Sequence, residues 1–393
     1  MGTLSERSKE FILKREKTKK KVILIGGTIL GVIVLFMLSI LLYNMIRTKT
    51  YNGYEKLESF DRADGNTVKY MPYEGALLKY SRDGASAIDK KGKVLWNGSY
   101  EMKNPMIDVC GKNVVIADNG GKEVYVYNGS DSGTVLNMDY PVSMVRIASQ
   151  GVIAVVLDDS DSNIIRLYNP YDSSNSLLVE VPTNISTDGY PVDIALSPDG
   201  KSLVTSYVYM NGSTTESNIC FYNFSEVGQD KNRVVGGCNF VDSFANKLEF
   251  VDDDTLCIFL NNGYSLYSNM KQPKEIHTEI FNQEIRSVMT DRGHVGFILD
   301  NSNMDSTRTI KVIDATGKDI LNQEIEYDYD KVSMANDEII FSTSVNARIV
   351  RFNGSVKLDC NLKNETEYFL PGKASDIYYV IDANAINRVK LCE

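Results

Sequence analysis

A ten-residue phrase occurs twice in this chain. The first copy is IDKKGKVLWN at residues 88–97, and the second is IDATGKDILN at residues 313–322. In each copy an apolar run ends in Asp, and a glycine-containing stretch leads into a second run. This order is typical of a β-hairpin, in which a tight turn joins two antiparallel strands. The phrase therefore predicts a structural unit that the chain uses more than once.

Weaker copies of the same pattern lie between and beyond these two. Each carries alternating apolar residues that end in an aromatic residue and a turn former. The steps between successive turn positions range from 39 to 54 residues. The turn positions are Asp89, Asn128, Asn169, Asn223, Ser268, Asp314 and Asn353. A period near 40–45 residues, with four short strand-like runs per unit, is the signature of a β-propeller.

The count of units predicts an all-β fold, a β-propeller of eight blades, with seven as the alternative. The last unit supplies only three strand-like runs before residue 393. A propeller normally closes its ring by completing the last blade with a strand from the other end of the chain, which removes exposed sheet edges. The segment YEKLESFD at residues 54–61 is suitably placed for this role.

An uncharged apolar segment, residues 22–46, precedes the repeats. As a helix rising about 1.5 Å per residue, it is long enough to cross the roughly 30 Å hydrocarbon layer. It lacks the short apolar core and small-residue cleavage site of a secretory signal peptide. Eight Lys and Arg residues precede it, but only Arg47 and Lys49 follow closely, which predicts a cytoplasmic N-terminus.

These features predict four regions of a single-pass cell-membrane protein with a signal anchor. They are a basic cytoplasmic arm at residues 1–21, a transmembrane helix at 22–46, a linker with the ring-closing strand at 47–66, and an extracytoplasmic propeller at 67–393. In the helix, Gly27 and Gly31 form a small-xxx-small face that would let two helices pair in a homodimer. Glycine is also common in such helices without pairing.

The predicted exported part is strongly acidic. Ten of the 42 Lys and Arg residues and three of the 52 Asp and Glu residues lie in residues 1–49, which leaves 32 basic against 49 acidic side chains. The resulting charge of about −17 repels nucleic acid and anionic polymers. Nucleic acid is therefore excluded as an expected partner.

The cysteine pattern favours no metal site. Six Cys residues are present without a CxxC spacing, and only two His residues accompany them, so zinc is not expected. The thiols are either small buried side chains or, in an oxidising compartment, partly paired. For a disulfide, Cys220 with Cys238 is the preferred pair, because they would lie on consecutive strands.

Two short elements carry a family resemblance. Residues 88–96 resemble the D-x-x-G-K-x-h-W element of quinoprotein (PQQ-like) propeller repeats, and LSPDGK at residues 196–201 resembles the turn of TolB-type repeats. With the N-terminal anchor, the chain from about residue 20 resembles bacterial single-pass proteins that carry a propeller ectodomain of unestablished function. The resemblance implies the fold and supplies no catalytic residues.

No motif predicts catalysis or a cofactor. Trp96 is the only Trp, whereas quinoprotein dehydrogenases carry one in most blades, so we interpret Trp96 as core packing. The Asp-rich stretches lack a DxDxDG calcium frame, and no GxSxG nucleophile motif is present. We therefore expect no catalytic residues, metal or cofactor.

Long connections between strands predict a binding surface. Three units have extended second-to-third-strand connections, and the link between units three and four is also long; all four should emerge on one face, because strand direction alternates. Loops on a rigid scaffold often carry recognition. The candidate residues are Asp158, Asp159, Asp161, Asp188, Tyr190, Tyr209, Asn211, Asp300 and Asp305.

These observations favour a non-enzymatic binding or assembly platform in the cell envelope, with an envelope protein or a glycan as its partner. The alternative is an envelope enzyme, a hydrolase or an oxidase, with its site in the central funnel of the propeller. A platform should present a broad loop patch. An enzyme should present acids, His or a metal converging in the funnel.

Overall fold

A computed structural model describes Phe11, Lys14, Arg15, Lys19, Lys21, residues 25–39 and residues 48–393, apart from residues 66, 131–132, 160–161, 175, 212–213 and 302–306. The chain divides into two compact units, Met1–Thr50 and Tyr51–Glu393. In the first unit residues 25–39 are helical. Among the described residues, no helix has both the length and the apolar character needed to cross a membrane. The predicted transmembrane segment extends at both ends into residues that lie outside the described part.

Gly27 and Gly31 both lie in this helix, four residues apart and exposed. A Cβ atom added to either glycine would meet nothing within 4 Å. Helix pairing through this face stays a prediction.

In the second unit, the described residues form 32 β-strands. The strands of the N-terminal half are β1 (Gly53–Asp61), β2 (Lys69–Tyr73), β3 (Ala76–Tyr80), β4 (Gly84–Ile88), β5 (Val94–Ser99), β6 (Pro105–Cys110), β7 (Asn113–Asp118), β8 (Glu123–Tyr127), β9 (Thr134–Asn137), β10 (Val142–Ile147), β11 (Ile153–Asp159), β12 (Ser162–Tyr168), β13 (Leu177–Asn184), β14 (Tyr190–Leu196), β15 (Ser202–Asn211), β16 (Thr214–Asn223) and β17 (Val234–Val241). A one-turn helix, Ile185–Asp188, follows β13, and a 3-10 helix, Glu226–Lys231, follows β16.

The strands of the C-terminal half are β18 (Ala245–Phe250), β19 (Thr255–Leu260), β20 (Gly263–Ser268), β21 (Lys274–Ile280), β22 (Glu284–Asp291), β23 (His294–Asp300), β24 (Thr307–Asp314), β25 (Asp319–Glu326), β26 (Lys331–Ala335), β27 (Glu338–Ser342), β28 (Asn346–Arg351), β29 (Val356–Asn361), β30 (Thr366–Pro371), β31 (Ile377–Asp382) and β32 (Ala385–Cys392).

Within the described residues these strands form eight four-stranded antiparallel sheets, which are the blades of a propeller. Blades one to seven each use four consecutive strands, beginning with β2–β5 and ending with β26–β29. Blade eight has the order β30-β31-β32-β1. The predicted all-β propeller and the favoured count of eight blades are therefore confirmed.

Ring closure depends on β1. It pairs antiparallel with β32, from Gly53 opposite Cys392 to Asp61 opposite Ala385, with a register shift between Lys56 and Glu58. Tyr54 is buried among the apolar side chains of blades seven and eight, and its Oη accepts a hydrogen bond from the Lys363 backbone N–H at 3.0 Å. This strand occupies the position that the sequence analysis assigns to residues 54–61.

The core consists of apolar clusters between neighbouring blades. In β7, Val115 and Ala117 pack toward blade three, while Val114 and Ile116 pack toward blade one. Side chains of a strand alternate between the two faces of its sheet, so a strand between two blades is buried on both sides. This explains why the central strands are continuous apolar runs. Each fully buried Val, Leu, Ile or Phe contributes about 1.5–3 kcal/mol.

The repeated phrase forms the hairpin between the third and fourth strands of blades one and six. Asp89 Oδ1 accepts hydrogen bonds from the Lys91 and Lys93 N–H groups at 2.8 and 2.9 Å. Gly92 and Gly317 have positive φ angles, 79° and 83°, which favour glycine. A Cβ atom at Gly92 would also lie 2.8 Å from the Phe60 ring, so the turn packs closely on the preceding blade.

Trp96 lies in the core, as the sequence predicts. It is fully buried, and its ring stacks on Tyr127 of blade two with the ring centroids 4.4 Å apart. Its Nε1–H donates to Tyr73 Oη at 3.4 Å. One aromatic cluster thereby joins blades one and two.

The proposed disulfide pair does not form. All six cysteines are free thiols, and Cys238 lies opposite Ile219 in the β16–β17 ladder rather than opposite Cys220. This offset of one residue directs Cys220 and Cys238 to opposite faces of blade four. Cys220 packs toward blade three and Cys238 toward blade five.

Candidate functional site

The propeller presents two faces of different construction. Connections between the second and third strands of each blade, and the links between blades, emerge on the face that we call the link face. The remaining turns emerge on the opposite face, which we call the turn face. This division follows from the alternating strand direction within each sheet.

On the link face, blade four has an extended hairpin. Its strands β15 and β16 have ten residues each, the longest among the described strands, and they pair as far as Asn211 opposite Thr214. The sequence predicts a polar loop at Tyr209–Asn218, but most of these residues pair in the β15–β16 ladder. The link before this blade is likewise ordered, because β13 runs to Asn184 and β14 begins at Tyr190.

Exposed apolar side chains accompany this hairpin. Tyr190 lies opposite Val208 in the β14–β15 ladder, so Tyr190, Val208 and Met210 are on the same side of the sheet. Tyr190 is 48% exposed and Met210 is 65% exposed. Such side chains at the edge of a rigid hairpin are suited to contact another surface.

Acidic residues of blade three lie near Tyr190. Asp158 and Asp159 end β11, opposite Asn163 and Ser162 of β12. Asp158 Oδ1 accepts a hydrogen bond from Asn163 Nδ2 at 2.6 Å. Burial raises the pKa of Tyr190, and the negative charge of Asp158 raises it further, which reflects their proximity.

Asp188 stabilises the link between the two blades. Its Oδ2 accepts a hydrogen bond from the Asn184 N–H at 2.7 Å, and Asn184 Oδ1 caps the one-turn helix by accepting from the Ser186 N–H at 2.9 Å. The structure thus gathers acidic and exposed apolar residues of blades three and four into what we call the hairpin patch. Its members are Asp158, Asp159, Asp188, Tyr190 and Met210, whereas Tyr209, the neighbour of Met210 in β15, lies on the opposite side of the sheet.

Other candidate residues lie elsewhere or outside the described part. Asp300 belongs to blade six, where it pairs with Arg308 at 3.0 Å and with Arg286 at 3.5 Å. The backbone of Asn211 ends β15, next to the hairpin patch. Asp161 and Asp305 lie outside the described residues.

The central channel contains two acids that were not among the predicted site residues, the half-buried Asp108 and the buried Asp193. Asp108 Oδ2 accepts from the Ile147 N–H, and Asp193 Oδ2 accepts from the Leu248 N–H, both at 2.8 Å. Arg146 donates to Asp193 Oδ1 at 2.5 Å. Burial raises the pKa of both carboxyl groups, and Arg146 and these N–H groups oppose that effect.

These acids link the innermost strands of neighbouring blades. Asp108 joins blade two to blade three, and Asp193 joins blade four to blade five. The sequence signal that could have revealed them is an Asp inside the first apolar run of a unit, as in PMIDVC and YPVDIAL. A buried acid with a raised pKa suits acid–base chemistry, but a hydrogen-bonded role between strands accounts for both residues.

Groups for metal chemistry do not converge in the described residues. Within them, no cluster of three or more His, Cys, Asp or Glu side chains is arranged to hold a metal ion. His277 lies on the outermost strand of blade five, and His294 packs edge-on against Phe352 with the ring centroids 4.9 Å apart.

Two cavities lie in the channel among blades one, six, seven and eight. The cavity toward the turn face has a volume of about 540 Å³ and is lined by charged turn residues that include Glu74, Asp291 and Lys373. The cavity toward the link face has a volume of about 530 Å³. Its lining contains Tyr70, Tyr329 and Tyr368, the charged residues Asp330 and Lys331, and mostly apolar neighbours.

The blades and their channel place the chain in the β-propeller class. Similar solved structures include BamB from Moraxella catarrhalis, with a TM-score of 0.52 and 11% identity over 86% of this chain and 100% of that chain. The sequence belongs to a family of unknown function (DUF5711), whose profile matches residues 47–391. No curated protein matches it.

Two other solved propellers show a similar degree of likeness. Chaetomium thermophilum Sqt1, solved bound to the N-terminus of ribosomal protein L10, has a TM-score of 0.54 and 13% identity over 86% of this chain and 100% of that chain. Porphyromonas gingivalis dipeptidyl peptidase 4 has a TM-score of 0.53 and 13% identity over 84% of this chain and 58% of that chain. At such identities the likeness concerns the fold alone.

Proposed function

We propose that this chain is a membrane-anchored, extracytoplasmic propeller that acts as a non-enzymatic binding or assembly platform in the cell envelope. The anchor is the uncharged segment at residues 22–46, and its basic N-terminal flank supports the orientation. The net charge of about −17 after residue 49 supports solubility of the exported domain and disfavours nucleic acid as a partner.

The hairpin patch is the observation that carries this proposal. It combines exposed Tyr190 and Met210 with the carboxylates of Asp158, Asp159 and Asp188 on ordered strands and a capped link. Apolar side chains on a rigid support lose little conformational entropy on binding, and the acids attract a complementary surface. A partner with a basic, partly apolar surface fits these properties.

We favour an envelope protein over a glycan as the partner. A glycan surface is mainly hydroxyl groups that stack on aromatic rings, and Met210 offers no such stacking. Protein interfaces are enriched in Tyr and Met. The structure of Sqt1, bound to a protein N-terminus, illustrates that a propeller can receive a protein segment.

The experiment compares cross-linked partners of the full-length protein in its native cell. In the test variant, an Asn-Gly turn joins Val208 to Ser217, which are paired in the β15–β16 ladder, and so removes the outer hairpin. Ser217 is retained because its Oγ accepts a hydrogen bond from the Ala245 N–H at 3.0 Å. A second variant, Tyr190→Ser with Met210→Ser, leaves the backbone unchanged.

Two matched controls accompany these variants. One is Val135→Ser, an exposed apolar position on the outermost strand of blade two, and the other shortens Glu226–Lys231 on the turn face. We expect a major cross-linked protein to be lost from both test variants and kept in both controls, with melting temperatures unchanged. An unaltered partner set in the test variants would contradict the proposal, and so would loss of a purely glycan adduct.

A further inference from the structure

The link-face end of the channel contains a cavity built from aromatic rings, which we call the tyrosine cavity after Tyr70, Tyr329 and Tyr368. Its volume of about 530 Å³ lies within the range of about 300–1,000 Å³ typical of small-molecule sites. Apolar side chains of the innermost strands, together with Ile340 of the second strand of blade seven, form much of its wall. They are Met71, Val288, Val332, Ile340, Phe369 and Leu370.

The tyrosine rings are held in place by their own contacts. Tyr70 Oη donates to Asp64 Oδ2 at 2.7 Å, and its ring lies edge-on to Tyr368 with the centroids 5.6 Å apart. Tyr329 Oη shares a hydrogen bond with Ser287 Oγ at 2.8 Å. Rings that are positioned before binding offer a preorganised surface for a flat apolar group.

Arginines around the cavity already have acidic partners. Arg62 pairs with Glu367 at 2.8 Å. Arg308 pairs with Asp300 at 3.0 Å and with Asp328 at 2.9 Å. Their charges are therefore largely balanced within the protein.

Lys331, which lines the cavity, differs from these arginines. Its Nζ lies 3.8 Å from the centroid of the Tyr368 ring and donates to the Glu367 carbonyl oxygen. Among the described residues, Lys331 makes no ion pair with a carboxylate within 4.0 Å. Lys331 is exposed overall, but partial desolvation of its ammonium lowers its pKa, and the nearby charges of Glu367 and of Asp330, which also lines the cavity, oppose this effect. An incoming anion would supply the partner that the ammonium lacks.

We propose that the tyrosine cavity binds a small aromatic carboxylate, whose ring lies among the tyrosines and whose carboxylate pairs with Lys331. The site uses blades one, six, seven and eight, whereas the hairpin patch uses blades three and four. A small ligand would thus bind independently of the protein partner proposed above.

The test uses two probes of nearly equal shape, indole-3-acetate and its neutral amide, indole-3-acetamide. Binding to the full-length protein in phosphatidylcholine nanodiscs is followed by saturation-transfer NMR and calorimetry, with empty nanodiscs as the blank. We expect the acetate to bind at least about tenfold more tightly than the amide. Binding of neither probe, or equal binding of both, would overturn the proposal.

Variants of Lys331 assign the effect to its charge. Lys331→Met should remove the preference for the acetate, while Lys331→Arg should keep it within a few-fold. Lys390→Met, which alters an exposed lysine of β32, should bind like the parent. Retention of the full preference in Lys331→Met, with an unchanged melting temperature, would rule out the assigned site. This result would leave the partner surface of blades three and four unaffected.

Discussion

Lys357 and Glu338 form an ion pair that is almost completely buried near the junction of blades seven and eight, with side-chain exposures of 4% and 6%. Tyr378 of blade eight completes the cluster, because its Oη donates to Glu338 Oε2 at 2.7 Å. Lys357 Nζ also donates to the Ser375 carbonyl oxygen. The two blades are thus connected by polar contacts inside an otherwise apolar interface.

Replacing Lys357 by Met should destabilise the propeller by about 3–5 kcal/mol, because the Glu338 carboxylate is left buried without its counter-charge. Chemical denaturation of the full-length protein in detergent measures the change. Lys390→Met is the matched control: its ion pair with Asp376 is long, 3.8 Å, and exposed, so we expect less than about 0.5 kcal/mol. Equal losses of unfolding free energy in both variants would show that the buried ion pair contributes no more to stability than the exposed one.

Removing β1 should open the ring. A chain that begins at Gly65 lacks the strand that pairs with β32 and the buried Tyr54, and it exposes the edge of β32. Its melting temperature should fall by at least about 5 °C relative to a chain that begins at Thr50, since burial of one large aromatic side chain is worth about 3–5 kcal/mol. Equal melting temperatures would mean that the ring does not depend on this strand.

The hairpin turn of blade six should become less stable in acid. Burial of Asp314 would raise its pKa, but hydrogen bonds from the Thr316 hydroxyl and N–H and from the Lys318 N–H outweigh this effect and lower the pKa below its usual 3.8. Because the folded state has the lower pKa, the stabilising contribution is present above about pH 4 and is lost as the pH falls through the folded-state value.

The variant Asp314→Asn cannot titrate at this position. Denaturant unfolding of parent and variant from pH 6 to pH 3 should therefore show a stability difference that shrinks as the pH falls. A difference that is constant across this range would contradict the assigned pKa shift.

The proposed orientation predicts the result of a reporter fusion. Alkaline phosphatase, which folds to an active form only outside the cytoplasm, should be active when fused after Glu393, because the basic arm retains the N-terminus inside. The same reporter fused after Lys21 should be inactive. Activity of a cytoplasm-only reporter after Glu393 would reverse the orientation.

The regular parts of the fold could be predicted because they depend on local chemistry. Asp89 and Asp314 each precede a glycine that adopts a positive φ angle, so the two copies of the phrase specify the same hairpin wherever they occur. The period of the apolar runs then determines the number of blades. The last blade would otherwise expose unpaired backbone N–H and C=O groups at its edge, which explains why residues 53–61 supply its fourth strand.

The register between β16 and β17 could not be predicted from the sequence. Cys220 and Cys238 lie on adjacent strands as expected, yet an offset of one residue in the β16–β17 ladder separates them onto opposite faces. The apolar pattern of so short a run does not distinguish two registers that differ by one residue. Such a shift nevertheless moves every side chain to the other face of the sheet. The extended hairpin of blade four could not be predicted either, because polar residues such as Thr215 and Glu216 suit a loop and an exposed ladder equally well.

The sequence by itself determined the repeat, the blade count, the closing strand and the core position of Trp96, since each follows from local propensity or from the period of apolar residues. Only the tertiary structure decided which distant residues meet. Tyr70, Tyr329 and Tyr368 belong to three units that become neighbours when the ring closes, and Asp108 and Asp193 reach the backbone of the following blade. Such meetings depend on the curvature and register of the whole ring, which no single stretch of sequence contains.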